Sequence, residues 1–407
     1  MRKIKKRLYL DEASKIIFAC LIFLSACIGK DGAYYIHRSE EGGYTLIVED
    51  KPFLVRGVTY NPTPIGMGFD YDLFSDPSKP WLIDGKLMKE LGVNCVRVYS
   101  CGRDIDKLRE FVRDMYNNFG IYTIVGDWLG LWNDCGPNYS DKNFREEVKR
   151  QVLEVVEKLK DEKGILMWVL GNENNYTCMG NISFWTSKEI EEIDDPAEKV
   201  MRKAEIYYAF VNEIAEAIKA VDKKHLVALG NGEVLLLDKA ANYCKSVDVL
   251  AIIAYRGKKF GTLFSYIKSN FDKPVLISEF GADSFDSYKG EENEDIQAEY
   301  IVSQWEDLYR NTTFSGNNKG NCIGGVIFAW TDEWWKHNEG YHPDWWVQNK
   351  EAGWSNGSYY FDIKAENNLN MNEEWFGIVK ISQDKEFGIN KRIPKKAYFS
   401  IKDIWRK

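Results

Sequence analysis

The stretch Ile165-Leu-Met-Trp-Val-Leu-Gly-Asn-Glu173 decides how this chain is read. Six apolar residues run without a break, and then the chain turns at Gly171 and presents an acid. A run that short and that continuous suits a strand covered on both faces, as in a parallel sheet, rather than a half-exposed hairpin. A second run has the same build, Pro274-Val-Leu-Ile-Ser-Glu-Phe-Gly281, and again an acid, Glu279, stands near its end.

Outward from these two, six more apolar runs recur: Phe53–Tyr60, Val93–Tyr99, Ile121–Trp128, His225–Asn231, Val247–Tyr255 and Cys322–Trp330. Helical stretches lie between them, at 84–91, 105–117, 144–160, 197–221 and 296–310, with shorter ones at 238–244 and 262–270. In 144–160 the residues Val148, Val152, Val155, Val156 and Leu159 fall at spacings of three and four and form one apolar stripe. Eight strands alternating with helices predict a single α/β (β/α)8 TIM barrel. No G-x-G-x-x-G or G-x-x-x-x-G-K-[ST] follows any strand, which disfavours a nucleotide-binding sheet. The predicted organisation is residues 1–26 as a signal peptide, 27–52 as a linker and N-terminal hairpin, and 53–407 as the barrel with a long Trp-rich segment after strand eight.

Residues 1–15 carry Arg2, Lys3, Lys5, Lys6, Arg7 and Lys15, and an apolar run follows to Ala26. That is the layout of an export signal, too short for a comfortable membrane span. It ends Leu24-Ser-Ala-Cys27, which resembles a bacterial lipobox and marks Cys27 for lipidation. The expected location is therefore outside the cell or in the periplasm, with any membrane contact through that lipid. Six basic and two acidic residues leave with the signal, taking the net charge from −8 to −12. An acidic chain lacks the field that nucleic acid requires. Cys95, Cys101, Cys135, Cys178, Cys244 and Cys322 remain, with only four His in the chain and no CxxC pair, so no structural metal and no cofactor is expected. Disulfide connectivity stays open; Cys135 with Cys178 is the favoured pair, since both follow strand ends on neighbouring loops.

In such a barrel the strand ends share one mouth. Asn-Glu occurs five times, at Asn172, Asn212, Asn293, Asn338 and Asn372, but only Asn172-Glu173 closes an apolar strand. Glu173 and Glu279, on the fourth and seventh strands, would face each other there. About 5 Å between two such carboxylates suits double displacement at a glycosidic carbon, and a longer gap admits the water of an inverting reaction.

These motifs resemble the clan A glycoside hydrolases. Gly171-Asn172-Glu173 and Ser278-Glu279-Phe280-Gly281 are similar to the family 2 catalytic barrel. Arg56-Gly-Val-Thr-Tyr60 and Lys89-Glu-Leu-Gly-Val-Asn-Cys-Val-Arg-Val-Tyr99 resemble the family 72 β-1,3-glucanosyltransferases. The resemblance implies a retaining β-glycoside hydrolase or transglycosylase with Glu173 as acid/base and Glu279 as nucleophile. It implies that Arg97 holds Glu279 ionised, that Asn172 contacts the sugar's 2-hydroxyl, and that Tyr255 hydrogen-bonds Glu279. It further implies that Trp330 floors the reacting subsite and that the Trp330–Thr331 peptide is cis. Asp127, Trp128 and Trp132 are candidate substrate contacts on the third strand and its loop, and Asp332 and Glu333 could bind sugar hydroxyls or a surface cation. Trp334, with Trp335, Trp345, Trp346 and Trp354, mixes rings with Lys336, His337, Asn338, His342 and Asp344, a blend suited to a sugar-binding wall over the mouth. The partner is an oligo- or polysaccharide, expected to be neutral; the oligomeric state is not legible. A different class also fits the sequence, a membrane-tethered carbohydrate-binding protein on an inactive barrel.

Overall fold

The computed structural model describes residues 34–133, 136–286, 289–336, 345–350 and 372–406. Cys27 and the export segment, Cys135, His337, Asn338, His342, Asp344 and Trp354 lie outside the described residues.

Eight parallel strands close into a barrel: β4 (Val55–Thr59), β5 (Cys95–Val98), β6 (Tyr122–Asp127), β7 (Ile165–Leu170), β8 (Leu226–Gly232), β9 (Val249–Ile253), β10 (Val275–Phe280) and β13 (Cys322–Ile327). Each pairs with its sequence neighbour, and β13 closes the ring onto β4 through Gly324 to Ile327 against Val55 to Val58. Helices follow at Trp81–Leu91, Ile105–Phe119, Lys142–Leu159, Pro196–Val221, Leu237–Tyr243, Leu263–Phe271, Glu294–Arg310 and Lys396–Trp405. Sequence sets their ends. Asp104, Asp141 and Asp195 each cap an N-terminus by accepting from a first-turn amide, and Gly92 and Gly120 end two helices in the left-handed conformation.

Two apolar layers follow from strand alternation. Val96, Val98, Val125, Trp168 and Leu170 face the helices, while Val55, Cys95, Tyr122, Ile124, Met167, Val169 and Leu276 fill the barrel. Strands β1 (Tyr35–Arg38), β2 (Tyr44–Val48) and β3 (Lys51–Pro52) form a small antiparallel sheet, β11 (Phe285–Asp286) and β12 (Glu291–Glu292) pair in the loop after β10, and Tyr34, Tyr44, Leu46 and Val48 join the inner layer. That plug closes the end opposite the strand carboxyl termini and leaves the other end for chemistry.

The segment after β13 departs from the expected uninterrupted loop. It holds a short turn at Glu373–Trp375 and a hairpin of β14 (Val379–Glu386) and β15 (Ile389–Pro394). A buried strut anchors it: Lys395 Nζ donates to Asp332 Oδ1 at 2.7 Å, both side chains being fully enclosed, and Gly377 N donates to the same oxygen at 3.0 Å. Burial pushes the Asp332 carboxyl up to about 6 against the pull of Lys395. Asp332 is thus engaged in holding the tail and is not turned toward a ligand, which corrects its reading as a sugar or cation contact. Among the described residues no helix is long and apolar enough to cross a membrane.

Candidate active site

The exit of β7 is built by local hydrogen bonds. Gly171 takes φ +79, a conformation that favours glycine, and its missing Cβ leaves room for Tyr207 and Asn174. Asn174 Oδ1 then accepts from Asn172 N at 2.6 Å, while its Nδ2 donates to Trp128 O and Tyr139 Oη. This clamp turns Asn172 and Glu173 into the mouth, with Glu173 itself at φ +60. A left-handed conformation is costly for a residue with a Cβ and is held here by the surrounding bonds.

Glu279 enters from β10, nearly buried, and three donors among the described residues meet its two oxygens. Arg97 Nη1 and Tyr99 Oη donate to Oε1, each at 2.8 Å, and Tyr255 Oη donates to Oε2 at 2.9 Å. Arg97, 1% exposed, spends its other contacts on Ser278 O at 3.0 Å and Asn172 Oδ1 at 2.5 Å, so one guanidinium ties β5, β7 and β10 together. Burial and the Glu279 charge push both phenols well above the ordinary tyrosine range, so they remain donors across the physiological range. Burial first, then the charges of Glu279 and Glu373, push the Glu173 carboxyl up to about 8, with Arg97 and Lys336 opposing. An acid raised to that value keeps its proton at neutral pH and is fit to give it to a leaving oxygen. The two carboxyls therefore sit in different surroundings: three donors meet Glu279, and Glu173 is pushed toward its protonated form.

The glycoside hydrolase family 72 model, described as glucanosyltransferase, matches residues 39–195. That match contains Arg97, Asn172 and Glu173 and ends before Glu279. The 1,3-beta-glucanosyltransferase GAS4 of Saccharomyces cerevisiae is 28% identical over 165 residues, 40% of this chain and 33% of that protein. The 1,3-beta-glucanosyltransferase gel2 of Aspergillus fumigatus is 32% identical over 129 residues, 30% of this chain and 25% of that protein. The matched part thus spans a third or less of these relatives' length. Among solved structures, a Bacteroides uniformis beta-glucuronidase superposes over 92% of this chain and 37% of its own, with TM-score 0.57 and 16% identity. A GH2 beta-galacturonidase from Eisenbergiella tayi covers 92% of this chain and 54% of its own, with TM-score 0.55 and 18% identity. The chain resembles clan A glycoside hydrolases: family 72 in sequence and family 2 in fold.

On this barrel the other candidate residues separate. Trp128 stacks on Tyr99, ring centroids 5.3 Å apart at 13°, and Trp132 meets Trp128 edge-on at 6.0 Å. Since Tyr99 bonds Glu279 and Trp132 is 63% exposed, this is an aromatic path from Glu279 outward. Asp127, one residue earlier, turns the other way. Its Oδ1 accepts from Leu129 N at 2.7 Å, and it borders a small cavity with Cys101, Val125, Val152 and Trp168 in the helix-facing layer. Burial raises its carboxyl. The expected sugar contact at Asp127 is corrected by strand alternation, which sends alternate side chains to opposite faces.

Trp330 is likewise displaced from its expected role. It is fully enclosed, packs edge-on to Tyr398 at 6.3 Å, and belongs to the layer beneath the helices, so it floors no subsite. The non-proline cis peptide is Phe328–Ala329, two residues earlier than the expected Trp330–Thr331. Phe328 meets Tyr255 edge-on at 6.3 Å and 84°, as Phe376 does at 5.7 Å and 87°. Tyr99 was not among the expected site residues; the signal for it is its place two residues after Arg97, just past the end of β5, where alternation gives it the same face. Phe328 carries no signal of its own in the sequence, because it stands inside the apolar run, two residues before the Trp330 that ends it.

The Trp-rich wall is only partly described. Trp345 and Trp346 lie against Gly68 and Gly66 in the loop leaving the carboxyl end of β4, where a Cβ on either glycine would come within 2.4 Å of an indole carbon. Gly66 N donates to Trp345 O at 2.9 Å. Trp334 is half-buried, Trp335 is buried and Trp346 is 60% exposed. Cys95, Cys101, Cys178, Cys244 and Cys322 carry free thiols. Cys135, the favoured partner of Cys178, lies outside the described residues.

Proposed function

We propose that this protein is a retaining β-glycosidase or transglycosylase acting on a β-linked glycan outside the cell, held at the membrane through lipid on Cys27. The observation that carries the reading is the contrast between the two carboxyls: Glu279 with three donors around it, and Glu173 with its proton held to about 8. Glu279 attacks the anomeric carbon, and the bond to the leaving oxygen breaks as Glu173 supplies its proton. Glu173, now a carboxylate, takes a proton from water or from a sugar hydroxyl, which displaces Glu279 and regenerates both groups. Asn172, whose Oδ1 accepts from Arg97, donates from its amide to the sugar's 2-hydroxyl in this reading. Similarity to 1,3-beta-glucanosyltransferases supports a sugar hydroxyl as the acceptor and a β-1,3-glucan as the first substrate to try.

Incubation with aryl β-glycosides and with a panel of β-glucans, β-mannans and β-galactans tests this. Product of retained configuration, with longer oligosaccharides at high donor concentration, is the expected result. Binding of these glycans with no turnover of any of them would favour an inactive barrel that captures glycan.

A further inference from the structure

A second charged group stands at the mouth, and the two-carboxylate chemistry does not use it. Glu333 leaves β13 and is 3% exposed, yet its Oε2 accepts no hydrogen bond among the described residues. Lys336 Nζ lies 3.7 Å from that oxygen and 3.0 Å from Glu373 Oε2, which arrives from the turn at Glu373–Trp375. The ammonium sits over the rings of Trp335 and Phe328, at 4.9 and 5.8 Å from their centroids. Phe328 in turn abuts Tyr255, the donor to Glu279. The set is therefore two rings away from Glu279, and its charges are felt at the mouth: Glu373 and Lys336 both act on Glu173, and Glu279 acts on Glu333.

We propose that Glu333, Lys336 and Glu373 bind the hydroxyl groups of the sugar whose anomeric carbon faces Glu279, and so select a neutral sugar over an acidic one. This rests on the glycosidase reading. A buried carboxyl oxygen without a donor is costly, and a hydroxyl is the ligand that relieves it while accepting from an ammonium nearby. Burial pushes the Glu333 carboxyl up to about 8, with Glu373 and Glu279 adding to it and Lys336 opposing. Below that pH it carries a proton of its own to give, so the set offers both donors and acceptors to one polyol. Lys336 does not make the site a receptor for a sugar carboxylate. Its charge is already met by Glu373 at 3.0 Å, and a further anion would lie near Glu279 and Glu373 together.

The test uses the full chain and the aryl β-glycoside it turns over fastest, with that glycoside's 4-deoxy and 6-deoxy analogues and the matching aryl β-uronide. For the parent, deleting a contacted hydroxyl should lower kcat/KM about tenfold or more, the scale of a hydrogen bond to a charged group. In Lys336→Met and Glu333→Gln that penalty should shrink to roughly twofold at one or more positions, and Glu373→Gln should raise the uronide-to-neutral ratio about tenfold. Should Lys336→Met fail to fold, the isosteric Glu333→Gln carries the test. Variants that slow all substrates by one common factor, or a parent that prefers the uronide, would overturn the proposal and leave the glycosidase reading standing. A parent inactive on every β-glycoside would overturn both.

Discussion

The floor of the mouth and the wall over it are built by different physics. On the floor, Arg97, Tyr99, Asn172, Tyr255 and Glu279 sit at or just past the ends of β5, β7, β9 and β10, so strand register fixes where each side chain points. On the wall, Glu333, Lys336, Glu373, Trp345 and Trp346 come from irregular chain, positioned by contacts between residues far apart in sequence such as Lys395 with Asp332. A site held by a barrel tolerates change in its loops, whereas a site held by a tail depends on every strut of that tail. The comparison predicts that floor substitutions remove chemistry with the fold intact, and that wall substitutions shift stability or substrate preference with the chemistry intact.

The largest effect should come from Glu279→Ala. In the proposed mechanism this removes the attacking group and should lower kcat by at least roughly 10⁴-fold, as for nucleophiles that act within a catalytic unit. Added azide should restore part of the rate and give a glycosyl azide of inverted configuration. Azide product of retained configuration would exchange the two roles. The variant also removes the carboxylate that Arg97, Tyr99 and Tyr255 surround, so its folding is checked by circular dichroism before the rate is read.

Glu173→Gln comes next, with a loss of about 10²- to 10⁴-fold for a poor leaving group and little loss of the first step for a dinitrophenyl glycoside, which needs no proton. The pH profile gives the sign. With its carboxyl raised to about 8, Glu173 is protonated below that value, so the rate of glycosylation should fall as pH rises through about 8. Glu373→Gln removes a charge that raises Glu173 and should move this limb toward acid; Lys336→Met should move it toward base. A limb that stays fixed in both variants would separate the wall from the chemistry of the floor altogether.

Breaking the strut should instead act on folding. Removing one partner of a buried ion pair costs about 3–5 kcal/mol because the other charge is left without compensation. Lys395→Met, read by chemical denaturation, should lose stability on that scale, and Asp332→Asn should lose less because the neutral amide can still accept from Gly377 N. Activity per folded molecule of Asp332→Asn should stay within a few-fold of the parent. Collapse of activity at unchanged stability would place Asp332 in the chemistry after all.

The same contrast explains what was legible in the sequence. All eight barrel strands show as apolar runs, because a strand covered on both faces has no alternative but to be apolar. The residues at their ends then follow from alternation, as Arg97 and Tyr99 do. The hairpin Val379–Glu386 with Ile389–Pro394 was hidden for two reasons. Only Val379, Ile381, Ile389 and Asn390 are well buried, so the run looks polar. Its two-residue turn is Phe387-Gly388, at φ +53 and +87. A turn of that kind ordinarily announces itself by Asn-Gly or Asp-Gly, and phenylalanine in the first position gives no such signal. Glu373 was equally silent, since nothing local connects it to Lys336, thirty-seven residues earlier.

The smallest expected effects set floor against wall directly. Trp132 ends the aromatic path that begins at Tyr99, and Trp346 stands exposed on the tail over the loop of β4. Both rings present a flat apolar face to solvent, which matches the C–H face of a pyranose. Each contact of this sort is worth about 0.5–1.5 kcal/mol, or roughly two- to tenfold in affinity. Trp132→Ala and Trp346→Ala should therefore leave small aryl glycosides nearly untouched and weaken oligosaccharides by that factor once the chain is long enough to reach the ring. The chain length at which each loss begins gives the distance from the reacting bond, and the end of the oligosaccharide affected gives the side. Losses on opposite sides would make the mouth an open groove running from the floor's aromatic path to the wall, as an endo-acting or chain-transferring enzyme needs. Loss at one ring alone would close one end of that groove, and no loss at any length for either ring would remove the wall from substrate binding.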